Sequence, residues 1–207
     1  MGLHNSFDRL NKYSFYNKVH VAACAILTRI FYPGARLIRF PLDIRNAKNI
    51  RLGKGFTCGH GCRIEACNYG LSKGELSLCI GDNVEINDFV HISAFSKIDI
   101  GDDVLIASKV YISDLNHGNV GDGEVYDITV PHRLQQVHAR PIAIEENVWI
   151  GESVCILGGV TFGKGSIVGA MSVVTKSIPP HSIAVGNPAK VIKQYNSDSK
   201  SWERIRI

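Results

Sequence analysis

The sequence lacks the long apolar run that a membrane-spanning helix requires. The uncharged run from Val19 to Thr28 is about half of the roughly 20 apolar residues needed to cross a bilayer, and no secretory leader is recognisable. The six cysteines among 207 residues also lack the regular spacing of a disulfide framework. We therefore expect a cytoplasmic protein with reduced thiols.

A strong excess of charge of one sign is missing as well. The chain carries 23 Lys and Arg against 19 Asp and Glu, a formal net charge of +4. Proteins that bind nucleic acid usually concentrate basic residues on one face, so we expect no nucleic-acid partner, while a small positive excess favours an anionic ligand. With 45% hydrophobic residues, the chain is long enough for one domain with a sizeable core.

What the sequence does contain is a repeat of six residues between Ile144 and Pro179. An aliphatic or aromatic residue opens each hexad: Ile144, Ile150, Ile156, Phe162, Val168 and Val174. A helix repeats every 3.6 residues and a strand every two, so neither explains this period. A period of six is typical of a parallel β-helix, in which three hexads form one triangular coil and the openers stack inside it. The sequence thus predicts a mostly β fold.

Hexads also cover most of the chain before Ile144, and together they predict a β-helix domain over residues 50–193. Earlier openers are Leu52, Cys58, Ile64, Ile80, Ile86, Ile92, Ile106 and Ile112, with a slip of two residues at Ile98–Ile100. The first coil is expected to begin near Leu52. Asn68–Ser77 breaks the register and is interpreted as a loop or short hairpin. Residues 113–141 contain no hexads and are predicted to form a long excursion loop, a kind of segment that often carries function on a rigid scaffold.

Both ends of the chain fall outside the hexads. Residues 1–49 are predicted to form an N-terminal helical segment and lead-in, with a helix over Asn11–Tyr32 that Pro33 ends. We expect this helix to pack on the β-helix or on a neighbouring subunit. In a second interpretation it contacts a membrane peripherally through basic residues, namely Arg29, Arg36 and Arg39. The tail, 194–207, is predicted to be a short helix or a loose end from Tyr195.

Four residues lie close together in the sequence in a way that resembles a zinc site: Cys58, His60, Cys62 and Cys67. However, Cys58 opens a hexad and Cys62 follows it by four positions, so both side chains are expected to point into the core. A buried free cysteine behaves as a small hydrophobic residue. We therefore predict buried thiols and no metal site.

The motif Ser113-Asp114-Leu115-Asn116-His117-Gly118 directly follows a hexad run, at the start of the excursion. Further motifs follow in order: Ile86-Asn87 before it, then Asn147-Val-Trp149-Ile-Gly151, Gly169-Ala170, Val174-Thr175-Lys176 and Gly186-Asn-Pro188-Ala189. In this order they resemble the hexapeptide-repeat acyltransferases, in the branch that includes galactoside and maltose acetyltransferases and the O-acetyltransferases of O-antigen, capsule and colanic acid. The resemblance covers about Ile80 to Lys193. It implies a left-handed β-helix and a homotrimer with its active sites between subunits.

The same resemblance implies that acetyl-CoA and a saccharide acceptor meet in a ternary complex, without a permanently bound cofactor. His117 matches the family's general base, and an imidazole, with an ordinary pKa of about 6.5, can accept the hydroxyl proton at neutral pH. Asn87 matches a residue that contacts the acceptor or the acetyl group, unless it only forms a turn. Asp114 would orient His117 or fix the acceptor, unless it only makes turn hydrogen bonds. Asn116 is a second candidate contact to the acceptor.

The resemblance also implies a donor site for acetyl-CoA. Its predicted residues are Trp149, Gly151, Ala170, Thr175, Lys176, Lys190 and Lys193. The last two lysines would contact phosphate groups. Glu152 departs from the family pattern, because some relatives have serine there. The oxyanion that forms at the thioester needs a donor, such as the backbone N–H of Gly151 or Ala170.

Together these residues predict an acetyl-CoA-dependent O-acetyltransferase that acts on a sugar hydroxyl of a surface polysaccharide or its precursor. An acetyltransferase for free sugars or antibiotics is an alternative, since loop composition sets the acceptor. Two other classes stay open: a zinc enzyme like the γ-class carbonic anhydrases, and a solenoid without catalytic activity. Four histidines are candidate zinc ligands, although their spacing does not match that class: His91, His117, His132 and His138.

Overall fold

The computed structural model describes residues 14–67, 74–121, 124 and 126–205. Within these residues there is one α-helix, α1 (Phe15–Phe31), and there are two 3-10 helices, η1 (Ala47–Asn49) and η2 (His132–Leu134). The strands are, in chain order, β1 (Leu37–Ile38), β2 (Leu42–Arg45), β3 (Ile50–Leu52), β4 (Thr57–Cys58), β5 (Cys62–Ala66), β6 (Leu78–Ile80), β7 (Glu85–Ile86), β8 (His91–Ala94), β9 (Ile98–Ile100), β10 (Leu105–Ile106), β11 (Tyr111–Ser113), β12 (Leu115–His117), β13 (Val137–Ala139), β14 (Ile142–Ile144), β15 (Trp149–Ile150), β16 (Cys155–Leu157), β17 (Thr161–Phe162), β18 (Ile167–Val168), β19 (Val173–Val174), β20 (Ser182–Val185), β21 (Lys190–Asn196) and β22 (Ser201–Arg204).

Three parallel sheets form the faces of a triangular β-helix. Sheet A contains β1, β4, β7, β10, β15, β18 and β20; sheet B contains β2, β5, β8, β11, β16 and β19; sheet C contains β3, β6, β9, β14 and β17. From β1 to β17, each coil contributes one strand to each sheet, in the order A, B, C, because a short strand and a turn fit within one hexad. The predicted parallel β-helix is confirmed.

The hexad openers form the core. On sheet A, Ile106, Ile150 and Val168 are register partners, and each is at most 1% exposed. Neighbouring strands lie about 4.8 Å apart, so each of these side chains packs on the next one along the axis. At the two-residue slip, β9 points both Ile98 and Ile100 inward, since residues two apart in a strand share a face. The longer coil therefore keeps its core closed.

Parallel pairing begins earlier than the predicted start near Leu52. β1 pairs with β4 and β2 pairs with β5, which makes Ile38 the register partner of Cys58 and Ile44 the partner of Ile64. Ile38 and Ile44 are thus hexad openers of one further coil, which lies inside the segment interpreted as the lead-in. A two-residue slip at Ile50–Leu52, like the one in β9, hides this coil from a strict count of six.

Helix α1 packs on this first coil through a narrow contact. It begins after the N-cap Ser14, whose Oγ accepts a hydrogen bond from Asn17 N at 3.3 Å, and it ends before Pro33; the predicted residues 11–13 lie outside the described ones. Cys24 and Thr28 are its buried residues, and Thr28 Oγ1 accepts a hydrogen bond from Ile38 N at 2.9 Å. The opposite face carries exposed apolar side chains, namely Phe15, Val19, Ile26 and Ile30, and the other exposed apolar residues of the helix are Tyr16, Leu27 and Phe31.

None of the helices in the described part of the chain combines the length and the apolar character needed to cross a bilayer.

The C-terminal tail forms an antiparallel hairpin, so the predicted short helix or loose end is wrong. β21 pairs with β20 and then with β22, which extends sheet A by two strands. The turn between them is set by Asn196, whose Oδ1 accepts hydrogen bonds from the backbone N–H groups of Asp198 and Ser199. Tyr195 and Trp202 form a cross-strand pair with ring centroids 5.3 Å apart.

The segment without hexads leaves the β-helix between β11 and β14, as predicted. Its two ends form an antiparallel ribbon of β12 and β13, in which Asn116 lies opposite His138 and His117 lies opposite Val137. Of the other predicted break, Asn68–Ser77, residues 68–73 lie outside the described ones. Residues 74–77 are neither helix nor strand.

Candidate functional site

The turns between sheet A and sheet B stack into one column, which we term the A–B corner. Asn87, Ala107, Gly151 and Gly169 each follow the inward residue of a sheet A strand and open these turns. Their backbone N–H groups donate to carbonyl oxygens of the next coil at 2.8–2.9 Å; the N–H of Asn87, for example, donates to Ile106 O at 2.8 Å. Two predicted site residues from distant parts of the sequence, Asn87 and Gly151, therefore lie along one edge of the β-helix.

Gly151 occupies a position where the backbone of the next coil comes close. A Cβ at this position would lie 2.6 Å from Ala170 N, so a side chain does not fit without a shift. The Gly151 N–H donates to Val168 O at 2.8 Å, which leaves it committed to the coil. In contrast, the Ala170 N–H has no hydrogen-bond acceptor among the described residues. Of the two predicted oxyanion donors, only Ala170 keeps an N–H available.

Trp149 lies on the outer face of sheet A, next to this corner. Its indole is 50% exposed, and its register partners along the axis are Leu105 on one side and Ile167 on the other. The same outward row continues through Ile183 to Lys193. Lys190 is exposed on the neighbouring row, opposite Val185. Five predicted donor residues thus lie on sheet A or at its A–B corner: Trp149, Gly151, Ala170, Lys190 and Lys193.

The two remaining donor candidates, Thr175 and Lys176, lie elsewhere in the chain. They follow β19, at the end of sheet B that leads to sheet C, and both are exposed. We term this edge the B–C corner. One chain does not bring them together with Trp149, because the strands of sheet B lie between the two corners.

His117 is exposed and lies beyond the B–C corner. It belongs to β12, which follows β11 of sheet B after one residue. Asn87 precedes β8, the sheet B strand that pairs with β11. The four residues of β8 alone span about 13 Å at roughly 3.3 Å per residue. Within one chain, His117 and Asn87 are therefore at opposite ends of sheet B.

Asp114 is 2% exposed and holds a turn of the preceding coil. Its carboxylate accepts hydrogen bonds from Phe95 N at 2.7 Å, from Ser96 N at 2.8 Å, from Ser96 Oγ at 3.1 Å and from Lys97 N at 2.8 Å. A carboxylate with four donors fixes the backbone at the point where the excursion leaves. These contacts match the turn hydrogen bonds expected as one alternative, although the turn belongs to another coil; a part in catalysis stays a prediction.

A polar cavity of about 240 Å³ lies at the base of the excursion. Asn116 and His138 line it from directly opposite positions of the ribbon. His117 follows Asn116 in the same strand, and successive side chains of a strand point to opposite faces. The side chains of Asn116 and His117 therefore lie on different faces of the ribbon. The full lining is Asp114, Asn116, Gly118, Asn119, Val120, Gly121, His138, Ala139 and Arg140.

The negative charge of Glu152, the residue that departs from the family pattern, is paired with a basic neighbour. Its Oε1 lies 3.1 Å from Lys109 Nζ, and both side chains are more than half exposed. Lys109 occupies the A–B corner one coil earlier, where Lys109 N donates to Asp88 O. Sequence motifs did not single out Lys109, because its relation to Glu152 depends on the stacking of coils. An acid at this corner therefore need not repel an anionic donor.

The outer face of sheet B carries a polar cluster between the two corners. Glu65 accepts hydrogen bonds from Arg63 Nη2 at 2.7 Å, and its Oε1 lies 3.2 Å from His91 Nε2. Burial alone would raise the pKa of Glu65, but the hydrogen bonds from Arg63 and His91 outweigh it and lower the pKa below its ordinary value. The His91 ring also packs edge-on against Tyr111, with centroids 5.3 Å apart. His91 is thus held in place by structural partners.

Cys58 and Cys62 lie in the core, as predicted, with exposed fractions of 0% and 1%. The hydrogen bond that the Cys58 thiol shares with Cys62, together with burial, raises the pKa of Cys58, so this thiol stays protonated. Cys62 Sγ donates to Asn87 O at 3.0 Å. Across the described residues, no group of three or more His, Cys, Asp or Glu side chains is arranged to hold a metal ion.

Comparison with known sequences gives a relative that matches nearly the whole chain. The chain is 39% identical over 194 residues to WbbJ of Escherichia coli (strain K12), which covers 93% of this chain and 96% of that protein. The name of WbbJ assigns it to lipopolysaccharide biosynthesis as an O-acetyl transferase. No protein-family model matches the chain.

Comparison with solved structures establishes the fold. AntD, an N-acyltransferase from Bacillus cereus in complex with an amino sugar nucleotide and coenzyme A, is similar with a TM-score of 0.65 and 22% identity, over 84% of this chain and 90% of that one. Galactoside acetyltransferase in complex with coenzyme A is similar with a TM-score of 0.52 and 28% identity, over 84% of this chain and 70% of that one. The expected left-handed parallel β-helix is confirmed.

Proposed function

The chain belongs to the hexapeptide-repeat acetyltransferases, and from this membership we propose that it transfers an acetyl group from acetyl-CoA to a sugar hydroxyl of a surface polysaccharide or its precursor. One observation carries the proposal: the alignment of Trp149, Gly151, Ala170 and Lys193 along one edge and face of the β-helix. The relative WbbJ, which is named for lipopolysaccharide biosynthesis, supports the acceptor class.

In the proposed reaction, the sugar hydroxyl attacks the thioester carbonyl while His117 takes the hydroxyl proton. The carbonyl becomes a tetrahedral oxyanion, for which the Ala170 N–H is the available donor. Collapse of the oxyanion breaks the C–S bond, and His117 returns its proton to the leaving CoA sulfur. No bond to the enzyme forms, so most of the acceleration comes from proximity and from the base.

The separation of the two corners implies that one site takes residues from two chains. His117, Thr175 and Lys176 belong to the B–C side, whereas Asn87 and Trp149 belong to the A–B side. We propose a homotrimer with threefold symmetry, in which the B–C side of each subunit faces the A–B corner of the next. Each of the three grooves then contains one complete set of residues.

Mixed trimers test this arrangement directly. We expect His117→Ala and Trp149→Glu homotrimers to be nearly inactive, because the first lacks the base and the second places an acid in the donor row. In every trimer that contains both chains, one of the three sites, or roughly a third, combines two intact sides. Co-expression with two affinity tags and double purification, followed by an acetyl-transfer assay, measures the recovered activity. Folded mixed trimers without recovery would place both sides of the site in one chain.

Mass spectrometry of surface glycans tests the acceptor. We expect glycans from cells without the gene to lack one O-acetyl group that is present when the gene is intact. Purified protein should then release CoA from acetyl-CoA only in the presence of that glycan or its precursor. Unchanged glycans, together with acetylation of free sugars or of an antibiotic in vitro, would instead favour the small-molecule alternative.

The exposed apolar face of α1 is relevant to whether the enzyme contacts its acceptor at a membrane surface. The helix contains Lys18 and Arg29 and no acidic residue, a composition compatible with an anionic surface. A neighbouring subunit would cover the same face equally well. Peripheral membrane contact through α1 therefore stays a prediction.

A further inference from the structure

The outer face of the C-terminal hairpin carries two basic and two aromatic residues in adjacent pairs. Lys193 lies directly opposite Arg204, and Tyr195 lies directly opposite Trp202. Residues two apart in a strand share a face, so all four side chains point the same way. This group, which we term the hairpin cluster, was not predicted from the sequence, apart from Lys193.

A β-bulge directs the hairpin cluster outward. Val191 is the register partner of the buried Ala184 and faces the core, and regular alternation would place Lys193 on the same face. The register shift between Ile183 and Ala184 reverses this, so that Lys193 pairs with the outward Ile183. The bulge therefore places the cluster on the face that carries Trp149.

The cluster continues the row that begins at Trp149. Successive partners in this row are Trp149, Ile167, Ile183, Lys193 and Arg204. Four strand steps separate Trp149 from Arg204, or about 19 Å at roughly 4.8 Å each. Lys190 lies beside the same row, opposite Val185. One extended ligand can thus contact the indole at one end and the guanidinium at the other.

The charges of the cluster lack a counter-ion in the described residues. Like charges directly opposite each other destabilise a strand pair. Neither Lys193 nor Arg204 forms an ion pair within the described ranges. Glu203 points to the other face, where Asn196 Nδ2 and Ser199 Oγ donate to its carboxylate at 2.8 and 3.1 Å. An anion between the two cations would remove the repulsion, and the planar guanidinium suits phosphate.

We propose that the hairpin cluster binds the nucleotide end of the donor, with Arg204 at the 3′-phosphate of the ribose. This inference rests on the proposed use of acetyl-CoA. The order of groups in the donor matches the row: the pantetheine arm at Trp149, the diphosphate at Lys190 and Lys193, and the 3′-phosphate at the outermost strand. The Tyr195–Trp202 pair offers an aromatic surface for the adenine ring.

Calorimetric titration of the full-length protein with CoA and with 3′-dephospho-CoA tests Arg204. We expect Arg204→Gln to weaken CoA binding by about ten- to a hundredfold, because a charge-assisted hydrogen bond to phosphate is lost, and to leave 3′-dephospho-CoA binding unchanged. Arg204→Lys keeps the charge and should lose a smaller part of the affinity. Lys200→Gln removes the same charge from the turn of the hairpin, about 13 Å away at roughly 3.3 Å per residue, and should change neither affinity more than about twofold.

The outcomes separate this inference from the proposed function. Equal weakening of both ligands in Arg204→Gln, no weakening, or an equal effect of Lys200→Gln would overturn the role of Arg204 while CoA remains the donor. Failure of the wild-type protein to bind CoA would overturn the proposed function and the inference together. Arg204 is exposed, so the variant should unfold at the wild-type temperature, which far-UV circular dichroism verifies.

Discussion

Replacing His117 with alanine is expected to lower kcat for acetyl transfer by about 100- to 10,000-fold, the usual contribution of a general base. A free hydroxyl is a poor nucleophile, and without the imidazole its proton must go to water. The side chain is exposed, so the free energy of unfolding should change by no more than about 0.5 kcal/mol. The release of CoA thiol, followed with a thiol-reactive dye at saturating acetyl-CoA, measures kcat.

His132→Ala is the matched control for this variant. His132 lies in the same excursion, is also exposed, and has its Nδ1 2.7 Å from the Tyr126 hydroxyl. The control should keep kcat within about twofold of wild type, since surface substitutions away from a site have small effects. Full activity in His117→Ala, or an equal loss in both variants, would contradict the assignment of the base.

Replacing Asp114 with asparagine is expected to destabilise the fold by about 3 kcal/mol or more. Four hydrogen-bond donors converge on this buried carboxylate, and an amide offers one oxygen while turning an NH₂ group toward the remaining donors. Each buried donor left without a partner costs about 1–3 kcal/mol. For a chain of this size, 3 kcal/mol lowers Tm by roughly 6–12 °C.

Asp99→Asn provides the comparison for Asp114→Asn. Asp99 is exposed, and its Oδ1 lies 3.3 Å from Lys97 Nζ in a surface ion pair near the same turn. Such pairs contribute about 0–1 kcal/mol, so the Tm of Asp99→Asn should stay close to wild type. Thermal unfolding of both variants in one buffer measures the two Tm values. If the two variants share the same Tm, Asp114 does not hold the turn at residues 95–97.

The inward half of the fold could be predicted from the sequence because it repeats. A residue that packs on its equivalent in the next coil must be apolar. Buried residues such as Ile106, Ile150 and Val168 therefore recur as openers of the hexads. Asn87 and Gly151 each directly follow an opener, which is why the stacked coils bring them to one corner. The first coil was not recognised in the sequence because the two-residue slip at Ile50–Leu52 interrupts the six-residue spacing of the openers.

The features that could not be predicted depend on contacts between coils or on non-repeating strands. Asp114 carries no local sign that its partners are the backbone N–H groups of residues 95–97. The hairpin of β21 and β22 has no hexads, so Trp202 and Arg204 gave no signal for the donor site. The placement of His117 and Asn87 at opposite ends of sheet B follows only from the strand order.

The hairpin also covers the open edge of sheet A at the C-terminal end of the β-helix. A β-helix presents open strand edges at its last coil, and an open edge is a template for pairing with another chain. On sheet A, β21 occupies the edge of β20, and the outermost strand β22 is short and carries Glu203 and Arg204. Such charged, short edge strands discourage end-to-end polymerisation. The hairpin thus keeps the sheet A edge of one β-helix from pairing with that of another as a fibre.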